Sequence, residues 1–446
     1  MIGFILVVTL LHLFFCIKKP IYGLCTLLAI KILIPDTARF SQSLSLNSLC
    51  SIVLFVTYFA YVLLGKESLS RLRNNLINYI LFFIVFSFFV ILFTDYTPRG
   101  YQIKTLLQYF FLQIAPIVVA VGVIKTGKDL KLILLVFVIS FIICTLYGIL
   151  CFIFGYPYPY NAWFSQYFSV SRNANYEMRV EMAGITGRII GTATSDSWSF
   201  GMVIGIACLI VHIIYTYLKT RLSLICYGLC VIAVLFTVRR SPILTLLCFY
   251  LLLYLFNFKY VKKFKKMILC GITIGLFILL LINIVPSLSS FRNIIETVFF
   301  FWDDSVAAAN RVSGSSVSLR QYQLNYTITH ISESLLFGNG WGAMYVKYHP
   351  GMHGWESIIF TTLFQSGVLG LFVMGGLFYS FYKYSIIKNP DHGLAKAFII
   401  ASLIFCITSD TIYPFYIYFG CVLINKINTI RNKAIRVNRL RVKLKQ

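Results

Sequence analysis

Two adjacent arginines, Arg239 and Arg240, follow the apolar run 222–238 and directly precede Ser241 and Pro242. An arginine side chain keeps its charge in proteins and binds phosphate or carboxylate through two parallel hydrogen bonds. A charge beside an apolar segment of membrane-spanning length is costly, so its presence is by default a functional hypothesis. The alternative is that both side chains extend to lipid headgroups. We expect the pair to bind an anionic group such as a diphosphate.

Three further arginines lie in long polar segments of the sequence. Arg320 and Arg311 belong to the segment 286–353, and Arg188 precedes the small polar stretch 191–197. The alternative is that such arginines pair with loop carboxylates, which contributes little at a surface. The candidate carboxylates are Asp303, Asp304 and Glu333. The stretch 191–197 offers either backbone N–H groups to an anion or an ordinary N-cap to the next helix. All three arginines are candidate diphosphate-binding residues.

A histidine and a glutamate stand where the segment 286–353 meets the next apolar run. His353 is of the residue type best suited to take up a proton near neutral pH. Glu356 follows at roughly one helical turn, from where it can orient the imidazole or share its work. The alternative is a histidine that merely tolerates water at a membrane boundary, and His349 is a competitor that spacing does not exclude. The pair predicts a general base.

Membrane-spanning helices must position these residues. The chain has 446 residues, of which 59% are hydrophobic and 12% are charged, and its mean hydropathy is +0.84. A soluble domain cannot bury that much apolar surface, and runs of roughly 20 apolar residues are typical of polytopic helical membrane proteins. We predict an all-α bundle of about 12–13 spans, the first retained as a helix. The expected spans are 2–17, 21–35, 44–64, 76–93, 105–124, 130–154, 196–218, 222–238, 241–258, 267–285, 354–382, 394–409 and 411–427.

The distribution of charge predicts the orientation of this bundle. With these spans, the inward connections carry nineteen Lys and seven Arg, and the outward loops carry ten Arg and two Lys. The positive-inside rule then places the N-terminus outside. The net charge of +25 is explained by orientation and by anionic membrane lipids as partners, so no nucleic acid is expected. The rule does not explain the outer arginines, which indicate an anionic ligand.

Two long outward loops divide the predicted chain. The expected regions are N-terminal helices (1–154), a first long loop (155–195), central helices (196–285), a large loop (286–353), C-terminal helices (354–430) and a basic cytoplasmic tail (431–446). Loops of this length are functional or disordered, and their aromatic residues suit an interfacial position and can stack on sugar rings. Residues 319–332 are predicted to form a short amphipathic helix on the bilayer surface.

The glycine-rich segments and the cysteines limit the classes of enzyme and of binding site that the sequence allows. The cluster 338–342 has three glycines in five residues, which predicts a turn with positive φ angles. It lacks the Gly-Lys-Ser/Thr of a phosphate loop, which argues against an ATPase or kinase. The glycines of 367–370 are expected inside a helix, where they permit close helix packing. The twelve cysteines lie in apolar segments and form no visible disulfide framework or metal site, so no metal or cofactor is expected.

Taken together, these motifs resemble the O-antigen polymerase and O-antigen ligase superfamily of bacterial membrane glycosyltransferases. The run 236–241 is similar to the family's Ser-Arg-Gly-type segment, although it lacks the expected Gly. Arg320, ahead of the Leu-Phe-Gly-x-Gly run 336–340, is similar to the family's large-loop arginine. Arg188 with Gly191 and Thr192 resembles its Arg-x-x-Gly-Thr segment.

The proposed base also has a counterpart in this resemblance. His353, Glu356 and the run 367–371 resemble the family's His-Asn and Gly-Leu-Leu-Gly segment, although Gly354 stands where Asn often follows the His. The resemblance covers roughly residues 185–380. It leaves open which of Arg239 and Arg240 plays the family's part.

The resemblance implies a GT-C-like fold in the bacterial inner membrane and a metal-independent reaction on the periplasmic face. The donor would be an oligosaccharide on a polyprenyl diphosphate, transferred to a hydroxyl of an acceptor sugar. Arg239, Arg240, Arg320 and, more weakly, Arg188 would bind the diphosphate, and His353 would be the base. A chain-length regulator and a flippase are the further protein partners that it implies.

Three functions remain open from the sequence. A polymerase joins the chain to another lipid-linked repeat unit, and a ligase transfers it to the lipid A-core. We favour the polymerase because the two outer loops are long and basic. A flippase or transporter predicts charged residues within the spans and a central cavity, whereas the one plain cation deep in a predicted span is Lys31.

Overall fold

The chain folds into a bundle of α-helices. The computed structural model describes residues 2–35, 37–41, 44–68, 74–155, 158–167, 189–194, 197–237, 239–256, 303, 305, 316–331, 334–346, 357–387, 392–408 and 414–443. In chain order the elements are α1 (Ile2–Lys18), α2 (Pro20–Leu33), β1 (Arg39–Ser41), β2 (Leu44–Ser45), α3 (Leu46–Leu63), α4 (Asn75–Phe93), α5 (Arg99–Tyr109), a π-helix (Phe110–Ile114), α6 (Ala115–Val123), α7 (Gly127–Phe154), α8 (Pro159–Tyr167), α9 (Ser197–Leu218), α10 (Arg221–Phe236), α11 (Arg240–Phe256), α12 (Ser316–Ile331), α13 (Ala343–Val346), α14 (Ile358–Ile386), α15 (His392–Thr408) and α16 (Phe415–Lys443).

The predicted all-α membrane protein is confirmed at this coarse level. Six helices are long and apolar enough to cross a membrane: Leu46–Leu63, Asn75–Phe93, Arg99–Val123, Gly127–Phe154, Ser199–Leu218 and Ile358–Ile386. Shorter apolar helices cover five more predicted spans: Gly3–Lys18, Pro20–Leu33, Arg221–Phe236, Arg240–Phe256 and His392–Thr408. The predicted span 267–285 lies outside the described residues.

The core of the bundle is formed by helices that are largely apolar. Every residue of α6 is buried, and so are most residues of α9 and nearly all of the first half of α16. A helix that is hydrophobic all round belongs in the interior of a bundle. In contrast, α4 exposes a row of large apolar side chains, which suits contact with lipid. These are Leu81, Phe82, Val85, Phe88, Phe89, Leu92 and Phe93.

Three of the predicted inward connections meet at one end of the bundle, which we call the lysine end. Lys125 pairs with Glu67, and Lys19 lies 4.0 Å from Asp129. Asp129 also completes a capping box with Thr126 at the start of α7, where its carboxylate favours the positive end of the helix dipole. The connections α1–α2, α3–α4 and α6–α7 therefore lie together, as the distribution of lysines predicts.

The opposite end, which we call the loop end, carries β1, β2, α8 and residues 189–194 and 334–346. The Tyr160 hydroxyl of α8 donates to the Leu33 carbonyl at 3.0 Å, and the Thr97 hydroxyl donates to the Asn339 carbonyl at 2.9 Å. These bonds join connections that are far apart in the sequence. These hydrogen bonds therefore fix the described connections of the loop end relative to one another.

The structure adds two local features that the sequence did not indicate. The connection after α2 contains a short hairpin, because β1 pairs antiparallel with β2, with Arg39 opposite Ser45. α16 continues without a break to Lys443, so it includes much of the basic tail predicted from residue 431. Lysine and arginine are good helix formers, so the change from apolar to basic side chains does not end the helix.

Candidate functional site

Two of the predicted anion-binding segments meet at the end of α15. Arg320 donates from its Nη2 atom to the Thr408 carbonyl at 2.8 Å, and the Ser241 hydroxyl donates to the same oxygen at 3.0 Å. Thr408 is the last residue of α15, so its carbonyl lacks a donor within the helix and carries part of the negative end of the dipole. This carbonyl brings Arg320, in the segment 286–353, next to Arg240 and Ser241 at the start of α11. We call Arg239, Arg240, Ser241 and Arg320 the arginine cluster.

Two glycines of α9 make room for this cluster. A Cβ atom added at Gly201 would lie 3.4 Å from the Arg239 Cγ, and one added at Gly205 would lie 3.1 Å from the Pro242 Cβ. Because residues four apart share one helix face, the two glycines let the segment 239–242 approach the α9 backbone closely. The Nε atoms of Arg239 and Arg320 are buried. The base of each guanidinium group is therefore enclosed by protein, which argues against side chains fully extended to lipid headgroups.

The helix that carries Arg320 is held against α14. The predicted helix over 319–332 is confirmed as α12, and Tyr326 contacts Phe364 of α14 with ring centroids 6.0 Å apart. The buried side chains Gln323 and Thr327 follow Arg320 at helical spacing. The buried face of α12, which also includes Ile331, therefore packs on protein, and Val317, Leu324 and Ile328 are exposed. The predicted position of this helix on the bilayer surface stays a prediction.

The remaining predicted site residues lie outside the described residues. These are Arg188, Arg311, His353 and Glu356, together with the alternative base His349. Of the carboxylates considered as partners for Arg320, Asp304 and Glu333 also lie outside them. Asp303 accepts hydrogen bonds from the backbone N–H and the hydroxyl of Ser305, at 2.8 and 2.5 Å. The roles of the four predicted site residues therefore stay predictions.

A cavity of about 460 Å³ opens among the helices at the loop end, and we call it the loop-end cavity. Its volume is that of a site for a small ligand. Its wall combines two cations, Lys31 and Arg39, with aromatic rings and with amide and hydroxyl groups. The aromatic residues are Tyr101, Tyr109, Phe141, Phe200, Trp341, Phe415 and Tyr416. The sequence did not predict this cavity.

Lys31 is held in the cavity wall by a local irregularity in a neighbouring helix. Pro116 has no N–H to donate to the Leu112 carbonyl, which would be its acceptor in a regular α-helix. The π-helix Phe110–Ile114 directly precedes this helix turn. Lys31 donates from Nζ to the Leu112 carbonyl at 2.9 Å, and its Nζ lies 4.8 Å from the centre of the Phe415 ring. A carbonyl dipole and a ring face both stabilise a cation away from water.

The glycine cluster 338–342 forms another part of the cavity wall. Gly338, Gly340 and Gly342 have φ angles of +69°, +95° and +80°, which confirms the predicted turn. Each position is too crowded for a side chain, since a Cβ atom added at Gly340 would lie 2.6 Å from the Gln102 amide. The same amide fixes Trp341, because its oxygen accepts from the Trp341 backbone N–H at 3.1 Å. Its nitrogen donates to the carbonyls of the preceding loop, on Thr94 and Thr97.

Gly367 interrupts α14 where this turn docks. Its φ and ψ are +66° and −166°, so the expectation that it serves close packing inside a regular helix is wrong. The break frees backbone groups, and the loop uses them: Asn339 N–H donates to the Phe364 carbonyl at 2.9 Å, and Val368 N–H donates to the Leu335 carbonyl at 2.9 Å. The two glycine-rich segments are therefore joined through their backbones.

The stretch 191–194 is used for structure. The Asn161 amide donates to the carbonyls of Gly191, Thr192 and Thr194, at 3.1, 3.2 and 2.8 Å. The Gly191 N–H donates to the Thr194 hydroxyl at 3.1 Å, so it is not directed at an anion as the sequence allowed. The expected N-cap residues, Ser195 and Asp196, lie outside the described residues.

The arginine cluster and the loop-end cavity lie on neighbouring faces of α9. Phe200 and Val203 line the cavity, whereas Gly201 and Gly205 face Arg239 and Pro242. Consecutive helix residues point about 100° apart, so the first two turns of α9 form a thin wall between the two sites. The two sites are therefore separated by one helix.

The chemistry available at the loop end is the binding of anions and polar groups by fixed cations, amides and aromatic rings. Among the described residues, no group of three or more His, Cys, Asp or Glu side chains could hold a metal ion. Eleven cysteines fall in the described part of the chain, and all are free thiols. No protein-family model matches the chain, and no curated protein matches it significantly.

Proposed function

We propose that this protein is a polysaccharide polymerase, which joins oligosaccharide repeat units carried on polyprenyl diphosphate at the membrane surface. In this proposal the loop end faces the periplasm of the bacterial inner membrane, and the bundle is a GT-C-like fold. The support is the convergence of cations at that end, together with the family resemblance of the segments that carry them.

The single observation that carries the proposal is the shared carbonyl of Thr408. Arg320 and Ser241 donate to it from segments that are far apart in the sequence and that were separately expected to bind a diphosphate. Several arginines at one position can offset the charge of a leaving diphosphate without a metal ion. A fixed guanidinium group at a helix end supplies this stabilisation with little reorganisation.

The proposed reaction is a displacement at the anomeric carbon of the donor. A hydroxyl of the acceptor sugar attacks this carbon, the bond from carbon to the diphosphate oxygen breaks, and the bonding electron pair leaves with the diphosphate. His353 takes the hydroxyl proton, and Glu356 orients the imidazole. Arg239, Arg240 and Arg320, with Arg188 and Arg311 as weaker candidates, neutralise the developing charge. Metal and cofactor are not required by this scheme.

Two other functions remain candidates. A ligase carries out the same chemistry with lipid A-core as the acceptor, so the arginine cluster does not distinguish it from a polymerase. A flippase is favoured by one observation, since the loop-end cavity with Lys31 in its wall is a feature that a transporter would have. Against it stands the position of the arginine cluster, at helix ends beside the large loop.

Deletion of the gene in its host tests the proposal against these alternatives. The surface polysaccharide and the pool of lipid-linked oligosaccharide are both separated by length. Lipid A-core that carries a single repeat unit indicates a polymerase. Lipid A-core without repeat units, together with long polymer left on polyprenyl diphosphate, indicates a ligase. Lipid A-core without repeat units, together with single lipid-linked units trapped on the inner leaflet, indicates a flippase. An unchanged surface polysaccharide and pool would exclude all three.

A further inference from the structure

Part of the loop-end cavity is lined by uncharged polar side chains from two helices, and we call them the polar wall. α5 contributes Tyr101 and Thr105, and α14 contributes Thr362, Gln365 and Ser366. Residues three or four positions apart share one helix face, so each helix turns a polar face to the cavity. Both helices belong to segments that are long and apolar enough to cross a membrane. Polar side chains in such helices bond to neighbouring helices or serve a ligand.

The last glycine of the cluster 338–342 joins the two halves of the polar wall. A Cβ atom added at Gly342 would lie 2.7 Å from the Tyr101 ring and 2.8 Å from the Thr105 hydroxyl oxygen. The Gly342 N–H also donates to the Gln365 amide oxygen at 2.8 Å. Gly342 therefore contacts both helices, and the polar wall is one continuous surface.

The hydroxyls of the polar wall have capacity that the protein does not use. Those of Tyr101, Thr362 and Ser366 make no hydrogen bond within the part of the chain that the structure describes. Thr362 and Ser366 are nevertheless only 7% and 5% exposed. A buried polar group without a partner costs free energy unless a ligand or water bonds to it. We therefore expect the partner of these hydroxyls to enter the cavity.

The Gln365 amide gives further evidence for a polar ligand. A backbone N–H can bond only to the oxygen of a side-chain amide, so the bond from Gly342 fixes which way this amide is turned. The amide nitrogen then lies 3.1 Å from the Met344 sulfur, which is a weak acceptor. A primary amide has two N–H donors, so at least one of them remains available for a better acceptor.

Aromatic rings beside the polar wall favour a sugar as this ligand. Trp341 and Tyr109 both line the cavity, with ring centroids 5.6 Å apart. The Trp341 indole N–H is a further buried donor with no acceptor among the described residues. Aromatic rings pack on the C–H faces of a sugar, and sugar hydroxyls donate to and accept from hydroxyl and amide groups. A prenyl chain would leave every one of these polar groups without a partner.

We propose that the polar wall binds an uncharged sugar unit of the lipid-linked oligosaccharide. Thr362, Ser366 and Gln365 bond to the sugar hydroxyls, and the rings of Trp341 and Tyr109 pack beside the sugar ring. The inference rests on the proposed function for the view that this sugar belongs to the substrate of the transfer. It adds the residues that hold the sugar, none of which belongs to the arginine cluster.

Ligand-observed NMR on the full-length protein in nanodiscs tests this site apart from catalysis. Saturation transfer from the protein is titrated with glucose, galactose, mannose, N-acetylglucosamine and the open-chain polyol sorbitol, with empty nanodiscs as the blank. We expect at least one of the four sugars to bind with a Kd of about 1–10 mM. Sorbitol should bind severalfold more weakly, because it has no ring and loses more conformational freedom. No binding of any sugar above the blank would overturn the proposal, and equal binding of sorbitol would overturn the packing on a sugar ring.

Two hydroxyl deletions in α14 locate the binding. Thr362→Val and Ser366→Ala each remove a hydroxyl with little change of shape, so each should weaken binding of the tightest sugar severalfold. Together they should weaken it about tenfold or more. Thr362→Ser keeps the hydroxyl and should retain binding. Ser380→Ala is the matched control, because Ser380 belongs to the same helix and does not line the cavity. Unchanged affinity of the double variant would overturn the assignment.

The stability of the same variants distinguishes a binding role from a structural one. Because neither hydroxyl bonds to a described residue, its removal should leave the free energy of unfolding unchanged or raise it, measured without sugar. A clear fall in that free energy, or failure of both variants to fold, would assign the hydroxyls to packing and overturn the proposal.

The gene deletion separates this inference from the proposed function. If the surface polysaccharide is unchanged while the purified protein binds a sugar through Thr362 and Ser366, the transfer reaction is wrong and the sugar site stands. If polymer is lost but no sugar binds, the proposed function stands and the sugar site is wrong.

Discussion

The arginine cluster and the loop-end cavity are two cationic sites at one end of the molecule, and they are built in different ways. The cluster joins the start of α11 to Arg320 of α12, and the acceptor that they share is the last carbonyl of α15. The cavity places Lys31 within the last turn of α2, against a carbonyl that Pro116 leaves without its α-helical donor. In the cluster the carbonyl end of a neighbouring helix stabilises the cation, whereas in the cavity a carbonyl beside a helix irregularity does so.

Replacement of Arg320 by Ala tests the arginine cluster. Loss of one preorganised donor to a developing charge reduces catalytic rates by about 100-fold or more, so the variant should make almost no long-chain polysaccharide in a complemented deletion strain. The length distribution of the surface polysaccharide measures this effect.

Arg99→Ala is the control for this variant. Arg99 is an exposed arginine at the same end, paired with Asp95 at 3.0 Å, and an exposed pair of this kind contributes little. Normal polysaccharide from Arg320→Ala, at a normal protein level in the membrane, would contradict a role for this arginine in transfer. A lowered protein level would instead assign Arg320 to folding.

Replacement of Gly367 by Ala tests the part of the structure that forms the cavity wall. A Cβ atom there would lie 2.3 Å from the Leu336 carbonyl oxygen, and the φ and ψ angles belong to a region that glycine alone occupies readily. We expect a loss of about 3 kcal/mol in the free energy of unfolding, measured by denaturation of the purified protein in detergent. The turn that carries Trp341 should also lose its docking site on α14.

Gly375→Ala is the matched control in the same helix. A Cβ atom at Gly375 would meet nothing within 4 Å, and alanine is the better helix former, so stability should be unchanged or slightly higher. Equal stability of the two variants would show that the break at Gly367 is not required.

The helices were largely predictable from the sequence, and so were the individual arginines of the cluster as candidates. Apolar run length predicts spans, and a short-range glycine pattern predicts positive φ at Gly338, Gly340 and Gly342. Arg239, Arg240 and Arg320 were candidates because arginines beside apolar runs are conspicuous, whereas the hydroxyl of Ser241 was not singled out. What the sequence did not indicate was the acceptor that Arg320 and Ser241 share, since the Thr408 carbonyl belongs to a third segment.

The cavity was not predictable because its parts are separated in sequence and uninformative singly. Lys31 was visible as a cation deep in a span, but its carbonyl partner depends on Pro116, more than eighty residues further along. Gly367 resembled a packing glycine because a four-residue spacing of small residues also suits helix contacts. The hairpin that brings Arg39 to the wall is too short to show an alternating pattern. A proline that removes a helix donor, considered together with a lysine inside another predicted span, is the signal that could have located the site.

Replacement of Gln102 by Ala should have a moderate effect confined to the cavity side. Its fully buried amide makes bonds to the backbone at Thr94, Thr97 and Trp341, and their loss leaves buried groups without partners. We expect a loss of about 1–3 kcal/mol in unfolding free energy and a shift in tryptophan fluorescence towards longer wavelength. Lys104→Ala, at an exposed position of the same helix, is the control. An unshifted spectrum with unchanged stability would contradict the positioning role of Gln102.

Replacement of Ser241 by Ala should have the smallest effect, and it tests whether Ser241 and Arg320 are coupled. Its hydroxyl and Arg320 donate to the same Thr408 oxygen, which still has a charged donor when the hydroxyl is lost. A neutral hydrogen bond contributes about 1 kcal/mol net, so polymer formation should fall only severalfold. Because the two donors share one acceptor, their effects should not add. Each loss of polymer-forming activity is converted to a free energy from the rate of polymer formation relative to the unchanged protein. The free-energy loss of the double variant Ser241→Ala with Arg320→Ala should therefore differ clearly from the sum of the two single losses. Strict additivity would mean that the shared carbonyl does not couple the two segments, and the cluster would then be two independent contacts.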